Sequence, residues 1–176
     1  MKDFFKPTWQ VHAIYQLDPA DLKRHGIQAV LTDLDNTLIA WNNPDGTTQL
    51  HEWLLRLEKA QIPVMIVSNN SAERIERVAE PLHLKFIARA LKPTTHGLQE
   101  ALTKLQLAPK DVVMVGDQLL TDIMAANAMR MRSVLVEPLI DTDQWNTKIN
   151  RFFEKGVKKH LKRQYPELQW RNNLDK

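Results

Sequence analysis

Short, continuous apolar runs alternate along this chain with stretches in which apolar residues recur at helical spacing. Ala29-Val30-Leu31, Val64-Met65-Ile66-Val67 and Val112-Val113-Met114-Val115 are strand-sized and apolar throughout, the pattern of strands covered on both faces. With Phe86-Ile87-Ala88 and Ser133-Val134-Leu135-Val136 they predict strands ending near Asp33, Ser68, Ala88, Asp117 and Val136. Leu50, Trp53, Leu54 and Leu57 predict a helix over residues 48–60 after the turn signal Asn42-Asn43-Pro44-Asp45-Gly46. Ser71 is placed to cap a helix carrying Ile75, Val78 and Ala79. Leu98, Ala101, Leu102 and Leu105 mark another, and residues 121–129 read as helical. Asp18-Pro19 opens a short helix over residues 20–25. Strands alternating with helices predict an α/β fold: a mainly parallel sheet with helices on both faces.

The 176 residues fit a single domain, read as an N-terminal arm (1–26), a core (27–140) and a basic C-terminal helix or tail (141–176). The absence of cysteine excludes thiolate catalysis, disulfides and thiolate-held metals, and agrees with a cytoplasmic protein. Phe4-Phe5 is too short for a signal-peptide core, and the longest apolar runs are too short to span a bilayer.

The net charge of +3 conceals an asymmetry, because residues 145–176 hold nine basic and three acidic residues. In the same segment Trp145, Ile149, Phe152, Phe153, Val157 and Leu161 form an apolar stripe. Such a helix either docks on the core or lies peripherally on an anionic membrane at its inner face, and the pattern leaves both open. No aromatic-basic interleaving or nucleic-acid-binding module is recognised, so nucleic acid is not the expected partner.

The chemistry concentrates where apolar runs end: Asp33 and Asp35, Ser68-Asn69-Asn70, Lys92, and Asp117 with Asp122. In a parallel sheet those ends share one edge, so residues distant in sequence can line one pocket. Asp33 and Asp35 can face the same way and would repel each other without a cation or proton between them. Oxygen-only donors favour a hard divalent ion, Mg²⁺ above all. Ser68 and nearby N–H groups suit phosphate oxygens, and Lys92 suits their charge. A carboxylate nucleophile with a metal and a positive clamp suits phosphoryl transfer: Asp33 attacks phosphorus, and Asp35 moves protons to the leaving alcohol and from water. None of the five glycines stands in GxxxxGK[ST] or GxGxxG, and the six histidines lack local zinc spacing. An EF-hand is excluded because Leu38 and Pro44 occupy its glycine and terminal glutamate positions.

Asp33-Leu34-Asp35-Asn36-Thr37, Ser68, Lys92 and Gly116-Asp117 with Asp122 resemble, in order, the four motifs of the haloacid dehalogenase (HAD) superfamily of phosphatases. Pro7, Trp9, Ile14, Leu22 and Gly26-Ile27 leading into the first motif resemble the subfamily IIIA, YqeG-type branch, whose relatives include mitochondrial phosphatidylglycerophosphate phosphatases. The resemblance implies a Rossmann-like HAD fold, Mg²⁺ dependence and phosphomonoester hydrolysis. It implies Asp33 as nucleophile and metal ligand, and Asp35 as acid and base with its carbonyl on the metal. Thr37, Ser68 and Asn69 would bind the substrate phosphate, Lys92 would neutralise it, and Asp117 would complete the metal site. Asp122 would act as a ligand through water or as a supporting partner. The short intervals between Asp33, Ser68 and Lys92 leave no room for a cap domain, so the expected site is open to large substrates. Open site, basic tail and resemblance together point to a lipid phosphate, phosphatidylglycerophosphate in particular. The alternatives are soluble sugar, nucleotide or nucleic-acid phosphates, or a non-catalytic binding protein with this fold.

Overall fold

A computed structural model describes residues 4–140 and 145–174, with backbone only for 145–153. Six parallel strands form one sheet: β1 (Trp9–Val11), β2 (Ala29–Thr32), β3 (Val64–Val67), β4 (Lys85–Ile87), β5 (Val112–Gly116) and β6 (Arg132–Val136), in the order β1-β6-β5-β2-β3-β4. Register pairs Val30 with Val113 and Val64, so β2 lies between β5 and β3 at the centre. The expected α/β architecture is present, and no inserted cap domain lies among the described residues. The intervals Asp33–Ser68 and Ser68–Lys92 are filled by core elements.

The helices are α1 (Pro19–Arg24), α2 (Thr48–Lys59), α3 (Ala72–Ala79), α4 (His96–Leu105), α5 (Met124–Ala128) and α6 (Trp145–Gln164). Alternation along the strands divides the core into two layers. Val30, Ile66, Val113 and Val134 meet Leu22, Trp53, Leu57, Ile75 and Val78 of α1 to α3. Leu31, Met65, Val67 and Met114 meet Leu98, Ala101, Ala125 and Ala126 of α4 and α5. The fully buried Trp53 satisfies its indole N–H on the Leu17 carbonyl at 2.9 Å.

Two elements differ from the sequence pattern, and the tail, which that pattern left open, is seen in part. Residues 9–11, read within an arm, add an edge strand to β6. The helix expected over 121–129 is a π-helical turn at Leu119–Ile123 running into the shorter α5. The tail helix docks through Val157 and Leu161 on Leu119, Ile123 and Leu135, while Trp145, Ile149, Phe152 and Phe153 lie outside the residues whose side chains are described. No helix among the described residues is long and apolar enough to cross a membrane.

Candidate active site

Strand β2 ends at Thr32, and the Asp33 N–H pairs with the Val115 carbonyl at 2.9 Å, fixing Asp33 at the carboxyl edge beside β5. Asn36 then adopts φ +61°, a conformation that asparagine tolerates better than most residues, and its N–H donates to the Ile39 carbonyl three residues on. This turn holds Asp35 and Thr37 over the same edge. The Thr37 hydroxyl donates to Asp117 Oδ1 at 3.1 Å, joining the loops after β2 and β5.

Lys92 is the hub. Its Nζ lies 3.0 Å from Asp33 Oδ1 and 2.6 Å from Asp122 Oδ1, with the Lys92 side chain 2% exposed and Asp122 fully buried. Burial alone works against the ammonium, but Asp122 and Asp33 outweigh it, so Lys92 holds its proton more tightly than a free lysine. Burial pushes the Asp122 carboxyl up, to about 6, with Lys92 opposing and the Asp33 charge adding to the rise. The Gln118 N–H donates to Asp122 Oδ2 at 3.1 Å, so the π-helical turn aims this carboxylate back at the sheet.

Gly116 makes that approach possible. A Cβ there would sit 2.1 Å from Asp122 Oδ2 and 2.4 Å from Asp122 Cβ. Gly116→Ala is therefore expected to displace Asp122 from Lys92 and to cost about 1–3 kcal/mol through overpacking, read as a lower Tm in thermal melts.

Asp33, Asp117 and Asp122 each offer a carboxylate oxygen within 4.8 Å of the others. Three hard oxygen donors at that spacing fit Mg²⁺ or a similar cation. Ser68 is buried at the end of β3 on the same edge, and its hydroxyl accepts from the Asn70 N–H at 3.3 Å. Asn69, grouped by sequence with the phosphate ligands, instead spends its side chain on Lys92: it donates to the Lys92 carbonyl and accepts from the Lys92 N–H, both at 2.8 Å. It thereby fixes the backbone from which the lysine projects.

The sequence does not single out Arg74, and it places Asn70 beside Ser68 without showing its partner. Arg74 grips Asp35 with both carboxylate oxygens engaged, at 2.6 Å and 3.2 Å, and also donates to the Trp41 carbonyl at 3.1 Å. Asn70 Nδ2 donates to Asp35 Oδ2 at 2.8 Å. The signal was present: Ser71 caps α3 and accepts from the Arg74 N–H, which sets Arg74 in the first helical turn after β3. Reading it required knowing that β3 lies beside β2. The site is therefore two linked parts, an acid–lysine cluster around Asp33 and an arginine-held carboxylate at Asp35.

A parallel α/β sheet that gathers carboxylates and a buried lysine at its carboxyl edge is the arrangement expected of a HAD-type hydrolase. The HAD-hydrolase-like family profile matches residues 90–148. Over 170 residues the chain is 37% identical to "Probable phosphatase YqeG" of Bacillus subtilis (strain 168), covering 97% of this chain and 98% of that protein. Among solved structures it is similar to an uncharacterized protein from Listeria monocytogenes serotype 4b, with a TM-score of 0.54, 20% identity, and 67% and 85% of the two chains covered. CbbY from Rhodobacter sphaeroides, solved in complex with phosphate, gives a TM-score of 0.51 at 13% identity over 68% of this chain and 90% of that one. The structural likenesses concern the fold alone. The chain belongs to the HAD phosphatase family.

Proposed function

We propose that this protein is a Mg²⁺-dependent phosphomonoester phosphatase that works through an aspartyl-phosphate on Asp33. The observation that carries the reading is Lys92 bridging Asp33 and Asp122 at the carboxyl edge, with the Asp117 carboxylate in reach of both acids. Asp33, Asp117 and Asp122 would hold the metal, which supplies positive charge against the phosphoryl oxygens. An Asp33 carboxylate oxygen bonds to phosphorus as the bond from phosphorus to the leaving oxygen breaks, and Asp35 gives that oxygen its proton. Water then loses a proton to Asp35 and attacks the same phosphorus, which releases inorganic phosphate and restores the Asp33 carboxylate. Lys92 offsets phosphoryl charge, Ser68 and Thr37 support the phosphate, and Arg74 with Asn70 holds Asp35 in place between the steps.

The finer reading is a lipid-borne monoester, phosphatidylglycerophosphate first. Its support is the absence of a cap domain, the basic C-terminal segment, and the resemblance of the N-terminal motifs to the branch that includes phosphatidylglycerophosphate phosphatases. A peripheral position on an anionic membrane, on its cytoplasmic face, follows from the same reading. A panel of phosphatidylglycerophosphate vesicles, sugar phosphates, nucleotides and 3′-phosphorylated DNA, assayed for phosphate release with and without Mg²⁺, tests it. The expected result is Mg²⁺-dependent release that is highest from the lipid. Equal or faster turnover of a soluble ester would transfer the assignment to that class.

A further inference from the structure

Beyond the catalytic edge, a cavity of about 420 Å³ opens between α6 and the segment that follows it, lined by Gln10, Lys158, Leu161, Lys162, Leu168 and Trp170, among others. Its walls are fixed. Leu161 is buried against the core, the Arg171 N–H donates to the Gln10 carbonyl at 3.0 Å, and Arg171 pairs with Val11 at the end of β1. Lys158 and Lys162 stand one helical turn apart and therefore project to the same side of α6. Both are exposed, and Lys158 has Glu154 at 3.8 Å as a distant partner. Trp170 is 37% exposed and stacks on His12, which in turn contacts Glu137 after β6.

His12 and Glu137 follow the carboxyl ends of β1 and β6, so Trp170 stands at the same sheet edge as Asp33. Three inter-strand steps separate β1 from β2, about 14 Å at the usual spacing. A cleft that sets paired lysines beside Leu161, Leu168 and an exposed tryptophan combines the two affinities of a phospholipid: cations for the phosphate and an amphipathic ring for the interface. The geometry points to this cavity as the seat of one anionic phospholipid, its phosphate on Lys158 and Lys162 and its upper acyl chains against Leu168 and Trp170. A lipid held there presents the catalytic edge to the bilayer. The inference deepens the lipid reading and takes its biological sense from it, but its test requires no turnover.

Vesicles of phosphatidylglycerol in phosphatidylcholine, which carry no phosphomonoester, are the probe, with full-length protein partitioning read by co-sedimentation. Wild type is expected to bind them and to ignore pure phosphatidylcholine. Lys158→Gln with Lys162→Gln should bind about tenfold more weakly. Trp170→Ala should weaken binding while keeping its salt dependence. Lys155→Gln with Lys159→Gln, which removes the same charge from exposed positions outside the cavity, should bind nearly as wild type. Melting curves establish that each variant is folded. Equal losses in the two double variants, or wild-type binding indifferent to phosphatidylglycerol, would overturn the proposal. Neither result touches the phosphatase reading, which is decided by phosphate release across the substrate panel, in which no binding variant is needed.

Discussion

Asp33→Asn is expected to lower phosphate release by at least about 10⁴-fold while leaving the protein folded. The substitution keeps the shape and a hydrogen-bond acceptor for Lys92 Nζ at the observed 3.0 Å but removes the nucleophilic charge. Asp122 still pairs with Lys92 at 2.6 Å, so the buried ammonium keeps a counter-charge. Asp35→Asn should cost less, about 10²–10⁴-fold, because an acid–base group contributes less than the bond-forming atom itself. Steady-state kinetics on one substrate checks both, and comparable losses would argue that Asp33 is not the attacking group.

Lys92→Met should be costly to the fold as well as to turnover. Methionine keeps much of the buried stem but leaves Asp122, fully buried, facing Asp33 without the ammonium. Removing one partner of a buried ion pair costs about 3–5 kcal/mol, a fall in Tm of roughly 6–20 °C for a chain of this size. The pH dependence has a definite sign. Burial raises Asp122 from 3.8 to about 6 even beside Lys92, and losing the lysine removes the influence that opposes the rise. A carboxyl raised on folding contributes stability that is present below its unfolded value and lost as pH climbs through its folded one. The deficit of the variant should therefore be small near pH 4, grow through pH 6 and persist above it. In the wild type Lys92 is raised too, so its contribution is intact at neutrality and is lost only as pH rises past the ordinary lysine range. Thermal melts of the two proteins across pH measure the gap, and a gap independent of pH would contradict the buried pair as its source.

What the sequence made legible was local. Apolar runs marked β2, β3, β5 and β6 because buried parallel strands are apolar over most of their length. Asp33 and Asp35 stood out because they interrupt such a run. β1 was not legible: its three residues become a strand through pairing with β6, more than a hundred residues away. Arg74 was hidden for the same reason, since its partner Asp35 lies on another strand's loop and only the parallel pairing of β2 with β3 brings them together. Asn69 could be assigned to the correct loop but not to its task, because its bonds to the Lys92 backbone depend on where the loop after β4 returns. The surroundings of Asp122 were hidden too, because only the π-helical turn brings it to Lys92 and against Gly116. Spacing reports which groups are present, whereas pairing decides which of them meet.

Turnover through this site requires a covalent phosphoryl group on Asp33. Rapid acid quenching during turnover, followed by borohydride reduction and peptide mass spectrometry, reads it directly, because reduction converts an aspartyl-phosphate to homoserine. Homoserine is expected at position 33, formed only with substrate and Mg²⁺ present. Turnover that leaves Asp33 unmodified under every quench, or homoserine at another aspartate, would contradict it.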